Sequence, residues 1–228
     1  MNETHRHFHE ELADLRERLV TMSGAAEAAL GCAVEALLER DEEKALQVIL
    51  GDREIDNREV DIEERCLSLL ARQQPMARDL RLLMSAMRIA NDLERVGDHA
   101  VNIAQSVTRV LKARAISPEP EIVEMARLTR QMLSDAIDAF LRGDAAAGRE
   151  ICLRDDQVDA LNRSVFRILL AQMTEDSQMI GTGMELFLVS RNLERVADLA
   201  TNVAEAVVFL AEGKSIKHHA EDGGEAVG

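Results

Sequence analysis

The sequence predicts an all-α protein built as two tandem three-helix bundles related by an internal repeat. Three observations lead there. The stretch Asn91 to Val107, NDLERVGDHAVNIAQSV, returns about a hundred residues later as Arg191 to Val207, RNLERVADLATNVAEAV. Apolar residues in the first segment recur alternately four and three positions apart, the spacing of a helical seam. Turn-forming stretches, RQQP before Met76, ISPEPE at 116–121 and the Gly143-Asp144 step, divide each half into three long segments. A chain of 228 residues accommodates one large or two ordinary domains, and the repeat decides for two. Their expected bounds are 1–115 and 119–213, with a polar tail at 214–228 expected to be disordered.

Each element follows from local chemistry. The first segment carries Phe8, Leu12, Leu15, Leu19, Met22, Ala26, Ala29, Ala33 and Ala36, a heptad seam whose alanine-rich second half lets neighbouring backbones approach. His5, His7 and His9 alternate, fan to different sides of a helix, and read as a solvated start. Asp41 is an N-cap with Glu42 and Glu43 in the first turn, and the segment it opens runs to about Arg72. Pro75 suits the first turn of a third helix that continues to about Arg114. A fourth helix covers roughly Glu119 to Leu141, a fifth runs from the Asp144 cap to about Met173, and a sixth spans Ser177 to Ala211. Asp41, Ile49, Asp52, Ile55 and Asp56 map with one constant offset onto Asp144, Cys152, Asp155, Val158 and Asp159. The offset for the last helix is three residues smaller, which places a deletion at the turn where TEDS replaces RQQP.

Composition narrows the function. A net charge of −15 opposes binding to a phosphate backbone, and the absence of Trp and Tyr leaves no stacking platform for bases, so direct nucleic-acid binding is not expected. Cys32, Cys66 and Cys152 form an odd set without C-x-x-C spacing, which fits a reducing compartment and core packing. The N-terminus, MNETHRHFHEEL, has no apolar signal region, no run approaches a membrane span, and a cytoplasmic location is expected.

The repeat preserves acidic pairs. Glu94 and Asp98 recur as Glu194 and Asp198, and Asp52 and Asp56 recur as Asp155 and Asp159. Four residues are about one helical turn, so each pair stacks on one face and its like charges repel. On a wheel, Leu83, Ala86, Ala90, Leu93, Gly97, Ala100, Val101 and Ala104 form a broad apolar arc, with Glu94, Asp98, Asn91 and Asn102 at its edge. Short turns make consecutive helices antiparallel, and counting from the turn brings both pairs of each half to heights that differ by roughly 3 Å. Carboxylates from neighbouring helices at one level must face water or neutralise a cation. Oxygen donors favour Mg, Ca, Mn or Fe, although Zn also accepts carboxylates, and the metal's identity stays open. The predicted ligands are Asp52, Asp56, Glu94, Asp98, Asp155, Asp159, Glu194 and Asp198. Asn102 and Asn202, one turn further on, either complete the sites or cap their edges, and Arg95 and Arg195 read as surface ion-pair partners.

The paired LERVxD segments, each followed by an Asn-aliphatic-Ala step, together with RQQPMARDLR at Arg72 to Arg81, resemble the PhoU family of bacterial phosphate-uptake regulators. The resemblance covers both repeats and implies two three-helix bundles, E(D)-x-x-x-D motifs that bind multinuclear metal clusters (Fe, Mn, Mg or Zn), and no catalysis. It also implies a homodimer that contacts the ATPase subunit of a phosphate ABC transporter and a phosphate-sensing histidine kinase, negatively regulating uptake and phosphate-starvation signalling. Pro75, Asp79, Leu80 and Arg81 match the family's P-x-A-x-D-L-R pattern in the first half only, since the second half reads DSQMIGTGMEL.

Three other readings compete. A carboxylate-bridged di-metal oxidase would use Glu-x-x-His pairs, whereas Glu94 and His99 are five apart and Leu199 holds the histidine position in the second repeat. A histidine phosphotransfer module would use His99 as acceptor. A metal-free helical adaptor would be recognised through its acidic faces alone.

Overall fold

The computed structural model describes residues 3–113 and 118–216, all in helices, turns or short connections with no strand among them. The elements are α1 (Glu3–Glu39), α2 (Glu42–Gly51), α3 (Arg53–Gln73), α4 (Ala77–Leu111), α5 (Pro120–Arg142), α6 (Ala145–Cys152), α7 (Asp155–Glu175) and α8 (Ile180–Glu212). A 3₁₀ turn, Ser177–Met179, leads into α8.

The expected second and fifth helices are each two helices laid end to end. At Asp52 the backbone stays right-handed (φ −51°, ψ −45°), so α2 and α3 form one rod that bends instead of breaking. The bend falls just after Gly51, a weak helix former. The equivalent joint at Leu153 and Arg154 is braced from outside, because the Arg154 guanidinium pairs with Asp135 on α5. Local chemistry governs the other ends. The Asp41 carboxylate accepts from the amides of Glu43 and Lys44, and Asp144 accepts from Ala147. Gly143, with φ +64°, closes α5 in the left-handed conformation that glycine adopts without strain. Pro75 lies outside α4, which starts two residues later after an extended Met76. Pro120, by contrast, occupies the first turn of α5.

In each half the two-part rod and the long helix before it pack on a central helix: α1, α2 and α3 against α4, and α5, α6 and α7 against α8. The two central helices then pack on each other. As the α4 residue moves from Arg81 to Ser85, His99 and Arg109, its α8 partner falls from Leu210 to Ala206, Asn192 and Glu185, so the pair is antiparallel. Small buried residues, Ala86, Ala90, Ala100 and Ala104 on α4 with Ala197, Ala200 and Ala204 on α8, keep these surrounded helices slim. Arg81, from the segment present in one half only, donates to the Leu210 carbonyl and lies against Gly213, placing a cation at the negative end of α8.

The first segment packs as its heptad seam requires, with Phe8, Leu12, Leu15, Leu19, Met22, Ala26, Ala33 and Ala36 buried and Ala29 half-buried. Contrary to the reading that no run approaches a membrane span, α1 does contain a window of sufficient length and apolarity, with mean hydropathy 1.2. Half of that window is buried in the bundle, so its apolarity belongs to the core seam. Cys66 is fully buried, while Cys32 and Cys152 are half-buried against the core. His7 and His9 are exposed as expected; His218, His219 and most of the tail lie outside the described residues.

Candidate functional site: two carboxylate clusters

The bend in each rod aims its aspartates at the central helix. In the first half Asp52 and Asp56 stand close enough to Glu94 and Asp98 for their charges to act on one another. Burial, followed by repulsion from Asp56 and Asp98, pushes the Asp52 carboxyl above the usual aspartate range. Glu94 is raised for the same reason, chiefly by burial and then by Asp98, Asp56, Glu59 and Asp52. The second half repeats the arrangement more severely. Asp155 is pushed up to about 6, first by burial and then by Asp198, Asp159, Asp156 and Glu194. Its Oδ1 is buried without a hydrogen-bond partner.

All eight predicted carboxylates therefore fall into two clusters, one per half. Gly97 makes the first approach close: a β-carbon there would sit 3.0 Å from Ile55 Cδ1 and 3.6 Å from Asp52 Oδ1. The second half has Ala197 at that position and Val158 in place of Ile55, so the methyl gained on one helix is lost from the other.

The clusters differ in how their charge is met. In the second, Arg191 lies 2.8 Å from Glu194, Arg195 2.8 Å from Asp198 and Arg163 3.6 Å from Asp159. In the first, Asp52, Asp56, Glu94 and Asp98 have no such ion pair among the described residues, and Arg95 turns instead to Asp92 at 3.8 Å. Glu59, absent from the predicted ligand set, joins this first cluster and is itself raised by burial, Glu63 and Asp56. Its sequence signal is its position one turn beyond Asp56 on the same face. The repeat concealed it, because Asn162 takes its place in the second half.

Hard oxygen donors in mutual repulsion, one with a buried orphan oxygen, suit a divalent cation in kind. Among the described residues, however, no three such groups are already closed into a metal-holding set. A bound cation would have to draw the side chains inward.

Asn102 is exposed, and Asn202 turns into the seam between the central helices, where its Nδ2 donates to Asp92 Oδ1 at 3.5 Å. His99 is held in the same seam, its Nδ1 2.9 Å from Asn192 Oδ1. Burial pushes the Cys66 thiol up to about 12 and Cys152 to about 11, so neither is a thiolate near neutral pH.

Fold and clusters together define a class, an all-α protein of duplicated helical halves with a carboxylate row in each. The PhoU-domain family model matches residues 19–107 and 122–207, and the chain belongs to the PhoU family. It is 38% identical over 216 residues to a phosphate-specific transport system accessory protein PhoU homolog of Aquifex aeolicus, covering 94% of this chain and 98% of that one. A Zymomonas mobilis homolog of the same description is 37% identical over 92% of this chain and 88% of its own. The crystal structure of PhoU from Pseudomonas aeruginosa superposes with a TM-score of 0.87 at 35% identity, covering 91% of this chain and all of that one. PhoU from Streptococcus pneumoniae does so with a TM-score of 0.85 at 30% identity, covering 91% and 98%.

Proposed function

We propose that the chain is a non-enzymatic, cytoplasmic, metal-binding regulator that restrains phosphate import and represses phosphate-starvation signalling. It acts as a homodimer through contacts with the ATPase subunit of a phosphate ABC transporter and with a phosphate-sensing histidine kinase. Family membership supports the phosphate-transport part, since its relatives are phosphate-specific transport system accessory proteins. The observation that carries the metal part is the pair of carboxylate clusters, equivalently placed in the two halves, with repulsion that a divalent cation would relieve.

Asp52, Asp56, Glu94 and Asp98, with Glu59, would hold the first ion or ions; Asp155, Asp159, Glu194 and Asp198 would hold the second. A bound cation supplies charge neutralisation and a rigid face on each rod. The chain's own residues do the rest: the bends bring the aspartates up to the central helices, and Arg191, Arg195 and Arg163 temper the second cluster. The non-enzymatic reading is supported by the relatives' description as transport system accessory proteins.

Two measurements test the proposal. Deleting the gene should derepress a phosphate-starvation reporter in phosphate-rich medium, with restoration by the wild-type chain; an unchanged reporter would remove the regulatory reading. Elemental analysis of protein purified without chelators should find metal, and Asp56→Asn, Glu94→Gln and Asp98→Asn together should lower its stoichiometry while the helical signal persists. Unaltered metal content in that variant would refute the ligand assignment, and metal-free wild type would favour the adaptor reading.

A further inference from the structure

We propose that the groove between α7 and α8 is a docking site for an acidic amphipathic helix of a partner protein. Its floor is apolar and exposed. Phe166 (46% exposed) and Leu170 (48%) lie on α7 and Met184 (47%) on α8, and the Phe166 and Phe187 rings meet at 5.3 Å between centroids. Its upper end is lined by Arg163, Arg167 and Arg191, which with Asn162 and the two phenylalanines border an open depression of about 620 Å³.

Three guanidiniums stand around an aromatic pair in a chain of net charge −15. Arg163 and Arg191 are partly met by Asp159 and Glu194, but Arg167 has no carboxylate at ion-pair distance among the described residues, its Nε donating to the Arg163 carbonyl. The repeat supplies an internal control. At the equivalent positions the first half carries Val60, Glu63 and Glu64 on α3, and Met87 and Asn91 on α4. The lower trough is shared, with Leu67 and Met84 exposed at the positions of Leu170 and Met184, so the halves differ at the upper end, where only the second combines rings with positive charge.

Charge complementarity selects the occupant. Two antiparallel helices with an apolar trough between them accept a third helix through residues at i, i+3, i+4 and i+7. Arginines at the upper end require carboxylates there, while an extended nucleic acid would meet the acidic remainder of the surface. From Arg163 to Leu170 the trough is about 11 Å long, two turns of such a helix.

The test uses the full chain and a fluorescent helical peptide of about 14 residues with leucines at the four seam positions and glutamates flanking them. A control peptide has each glutamate replaced by lysine. The acidic peptide should bind, weaken with added salt, and outbind the control by about tenfold or more. Phe166→Ser and Arg167→Glu should each weaken it by about tenfold; Arg167→Glu, on the surface, should leave the melting temperature unchanged, and Phe166→Ser, which also loses its contact with Phe187, should keep the helical signal. Because Arg163 and Arg191 also pair with Asp159 and Glu194 of the second cluster, peptide binding is measured with and without a chelator and should be the same in both, which separates the groove from the metal reading. Equal binding of both peptides, no binding, or indifference to Arg167→Glu would overturn the proposal. So would loss of self-association in Phe166→Ser without peptide binding, which would give the face to a second copy of the chain.

Discussion

Ionising Asp155 costs the fold something that ionising a surface aspartate does not. Burial and four acidic neighbours hold its carboxyl at about 6, against 3.8 for the free side chain. Between those values the folded chain keeps a proton that the unfolded chain gives up, so stability rises as pH falls from 8 through 6 toward 5. Asp14, held below its usual range by its hydrogen bond to Arg18, acts in the opposite sense, but its contribution fades only as pH falls past 3.8. Metal-free protein should therefore melt at a higher temperature at pH 5.5 than at pH 8, and Asp155→Asn should raise the pH 8 value by roughly 2–4 °C and flatten the difference. A pH-independent melting temperature in the wild type would show that the Asp155 environment is misjudged. Glu59→Gln tests the residue that the repeat concealed: with a raised carboxyl beside Glu94, it should weaken divalent binding at the first cluster in calorimetric titration and leave the second unchanged.

At the scale of elements, the contact between each bent rod and its central helix decides whether carboxylates meet. Gly97 with Ile55 in the first half and Ala197 with Val158 in the second fill the same space with the same number of carbons. Gly97→Ala alone should push the free end of Ile55 aside from its 3.0 Å approach, and this packing strain should outweigh the roughly 1 kcal/mol that alanine gains over glycine in a helix, leaving a net loss of about 1 kcal/mol or less in urea unfolding. Adding Ile55→Val should recover most of that loss, and strict additivity of the two changes would deny the compensation. The i,i+4 acidic pairs were legible because helical spacing and duplication both mark them. The bends were not, since Asp52 keeps helical dihedrals and nothing local to Leu153 forbids a continuous helix. Nor was the start of α4, where Pro75 suited a first turn but the chain stays extended through Met76.

For the whole molecule, the seam between α4 and α8 makes the two halves one body. Ser85 is fully buried there, its hydroxyl 3.5 Å from the Ala206 carbonyl. Ser85→Leu should overpack the seam, destabilise the chain by about 1–3 kcal/mol, and lower hydrogen-exchange protection in both halves together. Loss confined to the first half would show that the halves open independently.

Sequence alone determined the helical class, the duplication and the faces on which the acids stand, because each depends on spacing along one chain. Tertiary structure alone decided which acids are desolvated and which of them meet. Asp155 loses water to its neighbours, Asn202 joins the central seam, and Glu59 enters the first cluster, whereas Arg191 with Glu194 and Arg95 with Asp92 are pairs three residues apart on one helix. Side-chain direction and desolvation depend on what another helix places opposite, and that is written in no single stretch of the chain.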